Sequence, residues 1–311
     1  MKRKVIQIAN STQLVSLPRK WAQKYGIKKG DELDVKEKGS AVVVSLQEIK
    51  DKPLRAELNI GNMGRTSKRV IGALYRGGYD EIHIKFAKSD DIQHVQDILR
   101  GGCIGFEMVE QGRNYCVVRK VSDALYNELD SMFRRCFLFL ISISKESFDV
   151  AEKLDKSALD SIKVMDKNIT KFTDFCGRVL RKQTQEKHII MYHIMEELER
   201  MGDEYKKMCG FIVNNKIKIN NDTKKLYKDT TRLLEMLQDL FYKFDLGKMA
   251  KFYEDVAAVE KAVKKQISKT GKQECQIMDY IMNILNILFH LDIPVLEHAF
   301  INKDISDILS I

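Results

Sequence analysis

Met195-Glu-Glu-Leu-Glu-Arg-Met-Gly-Asp-Glu-Tyr-Lys-Lys-Met208 lies inside a longer run in which Met191, Ile194, Leu198, Met201, Tyr205, Met208 and Ile212 recur three and four residues apart. That period marks one face of an amphipathic helix. Glu196, Glu199 and Asp203 form a second stripe on the same helix. At ~3.6 residues per turn, Glu199 and Asp203 fall nearly opposite the apolar face, so they are expected to be exposed and of ordinary acidity. Gly202 stands mid-helix beside them, where glycine costs about 1 kcal/mol relative to alanine. Carboxylates beside a glycine are either a platform for a hard metal ion or a solvated surface, and the stretch by itself leaves both open.

Around this stretch the sequence reads as helix only. From Ser122 strand signals cease, and apolar periodicity predicts helices over 123–154, 157–182, 186–213, 223–244, 248–269 and 271–301. Pro294 is expected to kink or restart the last of them. Asparagine-rich breaks at 214–215 and 220–222 divide the series into two three-helix bundles, 121–216 and 217–311. Asp166 in the second helix and Asp255 in the fifth give a faint internal echo.

Composition fits this reading. The 311 residues are 44% hydrophobic and 31% charged, enough for two or three domains, and only three prolines interrupt them. The longest apolar run, Cys136–Ile143, is far short of the ~20 residues of a membrane span. The basic start lacks the apolar stretch of a signal peptide. Six cysteines without a Cys-x-x-Cys pair argue against a disulfide framework or zinc site and suit a reducing cytoplasm. A net charge of +9 points toward an anionic surface such as nucleic acid.

Residues 1–48 are different in kind. Short strands at Val5–Ile8, Leu14–Leu17, Glu32–Glu37 and Ala41–Leu46 enclose one short helix, Arg19–Tyr25, which Pro18 starts and Gly26 stops. So few residues make a poor core for a single chain, and dimerisation is the physical expectation. Residues 49–120 read strand, helix, strand, helix, hairpin: a small α/β connecting module. Its glycines stop helices and make turns; no Gly-x-Gly-x-x-Gly or Gly-Lys-Ser phosphate loop occurs, and His83 and His94 stand isolated.

Two stretches resemble known families. Ser16-Leu-Pro-Arg-Lys-Trp-Ala22, followed by Tyr25-Gly-Ile-Lys-Lys-Gly-Asp-Glu-Leu33, resembles the AbrB/SpoVT-type swapped-hairpin DNA-binding domain. The resemblance implies two chains exchanging hairpins to close one small β-barrel. It also implies DNA contact through Lys2, Arg3, Lys4, Arg19, Lys20 and Lys24, residue types that suit phosphate and base recognition. The other reading of these charges is that they solubilise a dimerisation module. Trp21 is expected to anchor the barrel core.

Leu198-Glu-Arg-Met-Gly-Asp203 resembles the motif of PhoU-type phosphate-uptake regulators, which are tandem three-helix bundles. The likeness implies divalent or iron clusters on the bundle surface, held here by Glu199 and Asp203 with Glu196 beside them. The second repeat departs from the pattern, offering His290 and Asp292 but no Glu or Gly, while another Glu-x-x-x-Asp spacing, Glu235 and Asp239, lies outside the motif position. The combination resembles archaeal phosphate-uptake regulators carrying both domains. The implied whole is a multi-domain α+β cytoplasmic homodimer that binds DNA and links phosphate supply to transcription or to a phosphate transporter. The alternative is a transporter accessory protein whose N-terminal module only dimerises. Enzymatic activity is not expected, because no nucleophile–base pair or cofactor loop is visible.

Overall fold

The computed structural model describes residues 2–8, 12–38, 41–46, 53–64, 66–88, 91–122, 128–182 and 187–302. The boundary expected at 48/49 and the expected helix starts at 65, 90, 123 and 186 lie outside the described residues. The chain divides into two compact units, Met1–Lys52 and Pro53–Ile311.

In the first unit, β1 (Val5–Ile8) pairs antiparallel with β2 (Thr12–Val15), and β3 (Asp34–Lys38) with β4 (Ala41–Ser45). Helix α1 (Arg19–Lys24) stands between the two hairpins, and Pro18 closes its start by accepting from Ala22 N at 3.0 Å. The hairpins form two separate sheets, so the barrel stays open within one chain.

The second unit begins with a four-stranded sheet in the order β5 (Arg55–Asn59), β6 (Glu81–Lys85), β8 (Tyr115–Lys120), β7 (Phe106–Gln111). Helix α2 (Thr66–Arg76) makes the crossover between parallel β5 and β6, and α3 (Asp91–Gly102) leads into the β7–β8 hairpin. Alternation along β6 and β8 turns Ile82, Ile84, Cys116 and Val118 onto Ile71, Tyr75, Val95 and Ile98 of the two helices. Both helices also contact α5 (Leu159–Lys182). The connecting module thus packs against the helices that follow it, within the one unit Pro53–Ile311.

Helices α4 (Leu129–Lys153), α5 and α6 (Lys187–Asn214) pack mutually as one bundle. Helices α7 (Asn221–Tyr242), α8 (Leu246–Ile267) and α9 (Lys272–His290) pack as another. Asn220 caps α7 by accepting from Thr223 N at 2.8 Å, and Asp245 caps α8 by accepting from Lys248 N at 2.7 Å. Pro294 falls in the first turn of α10 (Asp292–Asn302), where the missing N–H costs nothing, so the last helix restarts instead of merely kinking. Lys272–Ile301 is apolar and long enough, by length and composition, to cross a membrane; within the fold Ile277, Ile281, Ile284, Leu288 and Val295 are buried against the bundles.

Helix α6 contacts α4 and α5 on one side and α9 and α10 on the other. A single core continuous across both bundles results, with Leu198, Met201, Tyr205 and Met208 fully buried in it. Each such side chain contributes about 1.5–3 kcal/mol. Gly202 now has a reason: a Cβ there would lie 3.2 Å from Ile169 Cδ1 and 3.7 Å from Leu140 Cδ1. Gly202→Val is expected to cost about 1–3 kcal/mol through overpacking, read as a lower denaturant midpoint. An unchanged midpoint would contradict this close approach.

Candidate functional site

Among the described residues of the N-terminal unit none is buried. Val5, Ile6, Leu14 and Val15, which face one another in the register Val5↔Val15 and Ile6↔Leu14, are each 44–58% exposed. Val35 is 60% and Val42 62% exposed on the other hairpin. Alternating sequences of this kind form strands because one face is to be covered, and here no face is fully covered among the described residues. Trp21 is only half-buried, 5.8 Å from the Tyr25 ring, so the anchor expected of it is not complete in one chain. The Lys29-Gly30-Asp31 turn is held by Lys28 N donating to Asp31 Oδ2 at 2.7 Å.

All six basic residues singled out in the sequence are exposed. Lys2, Arg3 and Lys4 precede β1; Arg19, Lys20 and Lys24 lie on α1. Lys24 Nζ stands 5.3 Å from the Tyr25 ring centroid. None of the six is ion-paired with a described residue, which leaves their charge available to an anion.

The carboxylate stripe of α6 is half-buried, with Glu196 and Asp203 still partly open to solvent. It runs along a seam with α5 of the same bundle and with Arg76 of α2. Arg76 of α2 reaches Asp174 of α5 at 3.3 Å and Glu196 at 3.2 Å. Next along the seam Thr170 Oγ1 donates to Glu199 Oε1 at 3.4 Å. Last, Lys206 bridges Asp166, at 2.5 Å, and Asp203. Burial pushes Glu199 above the ordinary carboxylate value, and the charges of Asp203, Glu196 and Asp166 add to it. Burial likewise raises Asp166, against the opposing effect of Lys206. For Glu199 the expectation of an exposed carboxylate of ordinary acidity is thus corrected: a helical wheel ignores the neighbouring helix α5, which half-buries it.

Asp174 is pushed up to about 6, first by burial and then by Glu199 and Glu196, with Arg76 opposing. The folded state therefore keeps this proton to higher pH than the unfolded chain, whose carboxyl titrates near 3.8. Its contribution to stability is complete below about 4 and is lost as pH rises through about 6, by about 2–3 kcal/mol. Asp174→Asn is expected to remove that component. Unfolding free energies of both proteins at about pH 4.5 and pH 7.5 check it, and equal pH dependence in the two would contradict it.

Glu196, Glu199 and Asp203 do not converge as metal ligands. Each has a different partner, and two of the three already hold a cation side chain. Among the described residues no group of three or more His, Cys, Asp or Glu could hold a metal ion. The implied cluster does not fit the residues as arranged. Glu235, of the second such spacing, is paired with Lys145 at 2.6 Å. His290 lines a cleft of about 510 Å³ between α6 and α9 with His193 and Glu197. In that cleft Arg200 holds Glu197 at 2.8 Å and Lys207 holds Glu204 at 2.8 Å. Ser67 Oγ lies 2.8 Å from His94 Nε2, but its hydrogen goes to Gly64 O at 2.6 Å, so the imidazole donates and cannot act as its base.

Sequence reasoning missed one centre entirely. Arg178 of α5, 1% exposed, donates to Tyr75 O at 2.8 Å, Tyr79 O at 2.7 Å and Asp80 Oδ1 at 2.7 Å. Its guanidinium lies 4.7 Å from the Phe106 ring centroid. Lys182 and Lys120 also reach Asp80, at 2.5 and 3.7 Å. Gly78, at φ +88°, lets the chain turn here with its Cβ position 3.4 Å from Lys182 Cε. This hub fastens the α/β layers to the bundle.

Residues 6–56 match the sequence profile of the family described as antidote-toxin recognition MazE, bacterial antitoxin. No curated protein matches the chain. Among solved structures, the phosphate transport system regulatory protein PhoU from Streptococcus pneumoniae is similar over 57% of this chain and 95% of its own, at 15% identity and a TM-score of 0.46.

Proposed function

We propose that the protein is a dimeric DNA-binding regulator of phosphate uptake, its N-terminal MazE/AbrB-like module reading DNA and its tandem bundles receiving a phosphate-linked signal or contacting a transporter. One observation carries the DNA-reading half. A module matching an antitoxin family holds two hairpins with no buried side chain among the described residues and six exposed basic residues without an ion-pair partner there. A second copy supplies the missing core by covering Val5, Val15, Val35 and Val42. It also doubles the basic surface, so that paired patches meet successive stretches of a duplex. The phosphate half rests on Leu198–Asp203 and on the tandem-bundle architecture around it.

The mechanism that follows is mechanical. A ligand or partner that prefers one arrangement of the helical units shifts the spacing of the two DNA modules by its difference in affinity. The dimer is tested first. Val35→Glu with Val42→Asp places charges on the face to be covered, and the mass in solution is expected to fall from twice 36.0 kDa to 36.0 kDa. A dimer of undiminished stability in that variant would contradict the assembly. A transporter accessory role without DNA would show as duplex affinity indifferent to all six basic side chains.

A further inference from the structure

Helices α7 and α8 are joined by the short connection 243–245 and bound across by Arg232 Nη1 to Asp255 Oδ2 at 2.7 Å. They run antiparallel, and a groove of about 420 Å³ opens between them. Its volume lies within the ~300–1,000 Å³ typical of small-ligand sites. At one end Arg232 is used up by Asp255 and by Asp229 at 3.7 Å. The other end is the reverse. Lys225 of α7 comes opposite Lys265 and Lys269 of α8, and Asp222 is the single carboxylate among the described residues lining that end. None of the three lysines is ion-paired with a described residue.

The floor between the ends is apolar and flat. Ala258 and Ala262, four residues apart, carry no side chain beyond Cβ, and Val259 is 6% exposed. Gln266 also lines the groove at 8% exposure, and its amide makes no hydrogen bond to a described residue. That amide opens into the groove, where it presents both donors and an acceptor to whatever enters. Nothing in this groove belongs to the N-terminal module or to the carboxylate seam of α6.

We propose that the α7–α8 groove is a binding site for a nucleoside phosphate. The lysine end holds the phosphates as compact point charges. The alanine and valine floor takes the base, and Gln266 pairs with its polar edge. No Gly-rich loop is needed, since ammonium groups replace backbone N–H donors. The site does not depend on the protein's binding DNA.

Calorimetric titration of the full-length protein with ATP tests it, with inorganic pyrophosphate as the second probe. Saturable ATP binding at one per chain is expected. Lys265→Gln with Lys269→Gln, both exposed positions, should weaken it roughly tenfold or more. Gln266→Leu should weaken ATP roughly threefold to tenfold and leave pyrophosphate unchanged, which separates base from phosphate recognition and from any binding at the N-terminal lysines. Absence of saturable ATP binding, equal affinity in the double lysine variant, or pyrophosphate binding as tightly as ATP would each overturn the assignment.

Discussion

Replacing Asp80 with alanine is expected to lower the unfolding free energy of the 53–311 unit by about 3–5 kcal/mol, because it strands the Arg178 charge in the interior. Arg178 is 1% exposed, and Asp80 is the carboxylate that pairs with it. The two carbonyl bonds, to Tyr75 and Tyr79, satisfy N–H groups but do not neutralise charge. Burial pushes the Asp80 carboxyl up, yet the Lys182 hydrogen bond and the charges of Lys182, Arg178 and Lys120 outweigh it and hold the group below its usual 3.8. The folded state thus favours the ionised form, and that contribution is present above the unfolded value and lost as pH falls, the opposite sense to Asp174. Asp80 also accepts from Leu54 N at 3.2 Å, so its removal loosens the entry to β5 as well. Arg178→Met added to Asp80→Ala should recover part of the loss, since the buried charge goes with its partner. Denaturant unfolding of the full chain checks both. A double variant no more stable than Asp80→Ala would show that packing, and not the stranded charge, sets the cost.

That hub is also the measure of what the sequence concealed. Periodicity of three and four placed the helices within a few residues, since Leu198, Met201, Tyr205 and Met208 can be buried together only in a helix. Period-two alternation likewise gave β6 and β8 through Ile82, Ile84, Cys116 and Val118. What a one-face wheel cannot represent is the neighbouring helix. Glu196, Glu199 and Asp203 look solvated on the wheel; in the fold Glu196 meets α2, Glu199 meets α5, and Asp203 shares with α5 the lysine Lys206. The close approach of Gly202 to Ile169 was illegible for the same reason, as it depends on a residue of another helix. Arg178 carries no local signal at all: its partners Tyr75, Tyr79 and Asp80 sit about 100 residues upstream. The N-terminal basic residues, by contrast, were readable because a short, locally paired module leaves charges on its own surface. Gln266 was hidden among polar residues of an exposed-looking helix until α7 closed over it.

The DNA-reading claim predicts the other large effect. Arg3, Lys4, Arg19 and Lys20 are exposed and without an ion-pair partner among the described residues, so each phosphate they meet in the dimer releases a counterion on binding. Changing these four to glutamine leaves up to about eight phosphates per dimer without a neutralising partner. It should weaken duplex affinity by roughly a hundredfold or more at about 50 mM salt and lower the slope of log affinity against log salt by about 1 for each such phosphate. Lys265→Gln with Lys269→Gln changes the total charge on the other unit and should leave both quantities nearly unchanged. The decisive measurement is therefore a salt series of duplex binding by fluorescence anisotropy on the full-length protein and these two variants. The account predicts a flattened slope and weak binding for the N-terminal variant alone. Identical affinity and slope in all three proteins would contradict it and leave the N-terminal unit as a dimerisation module.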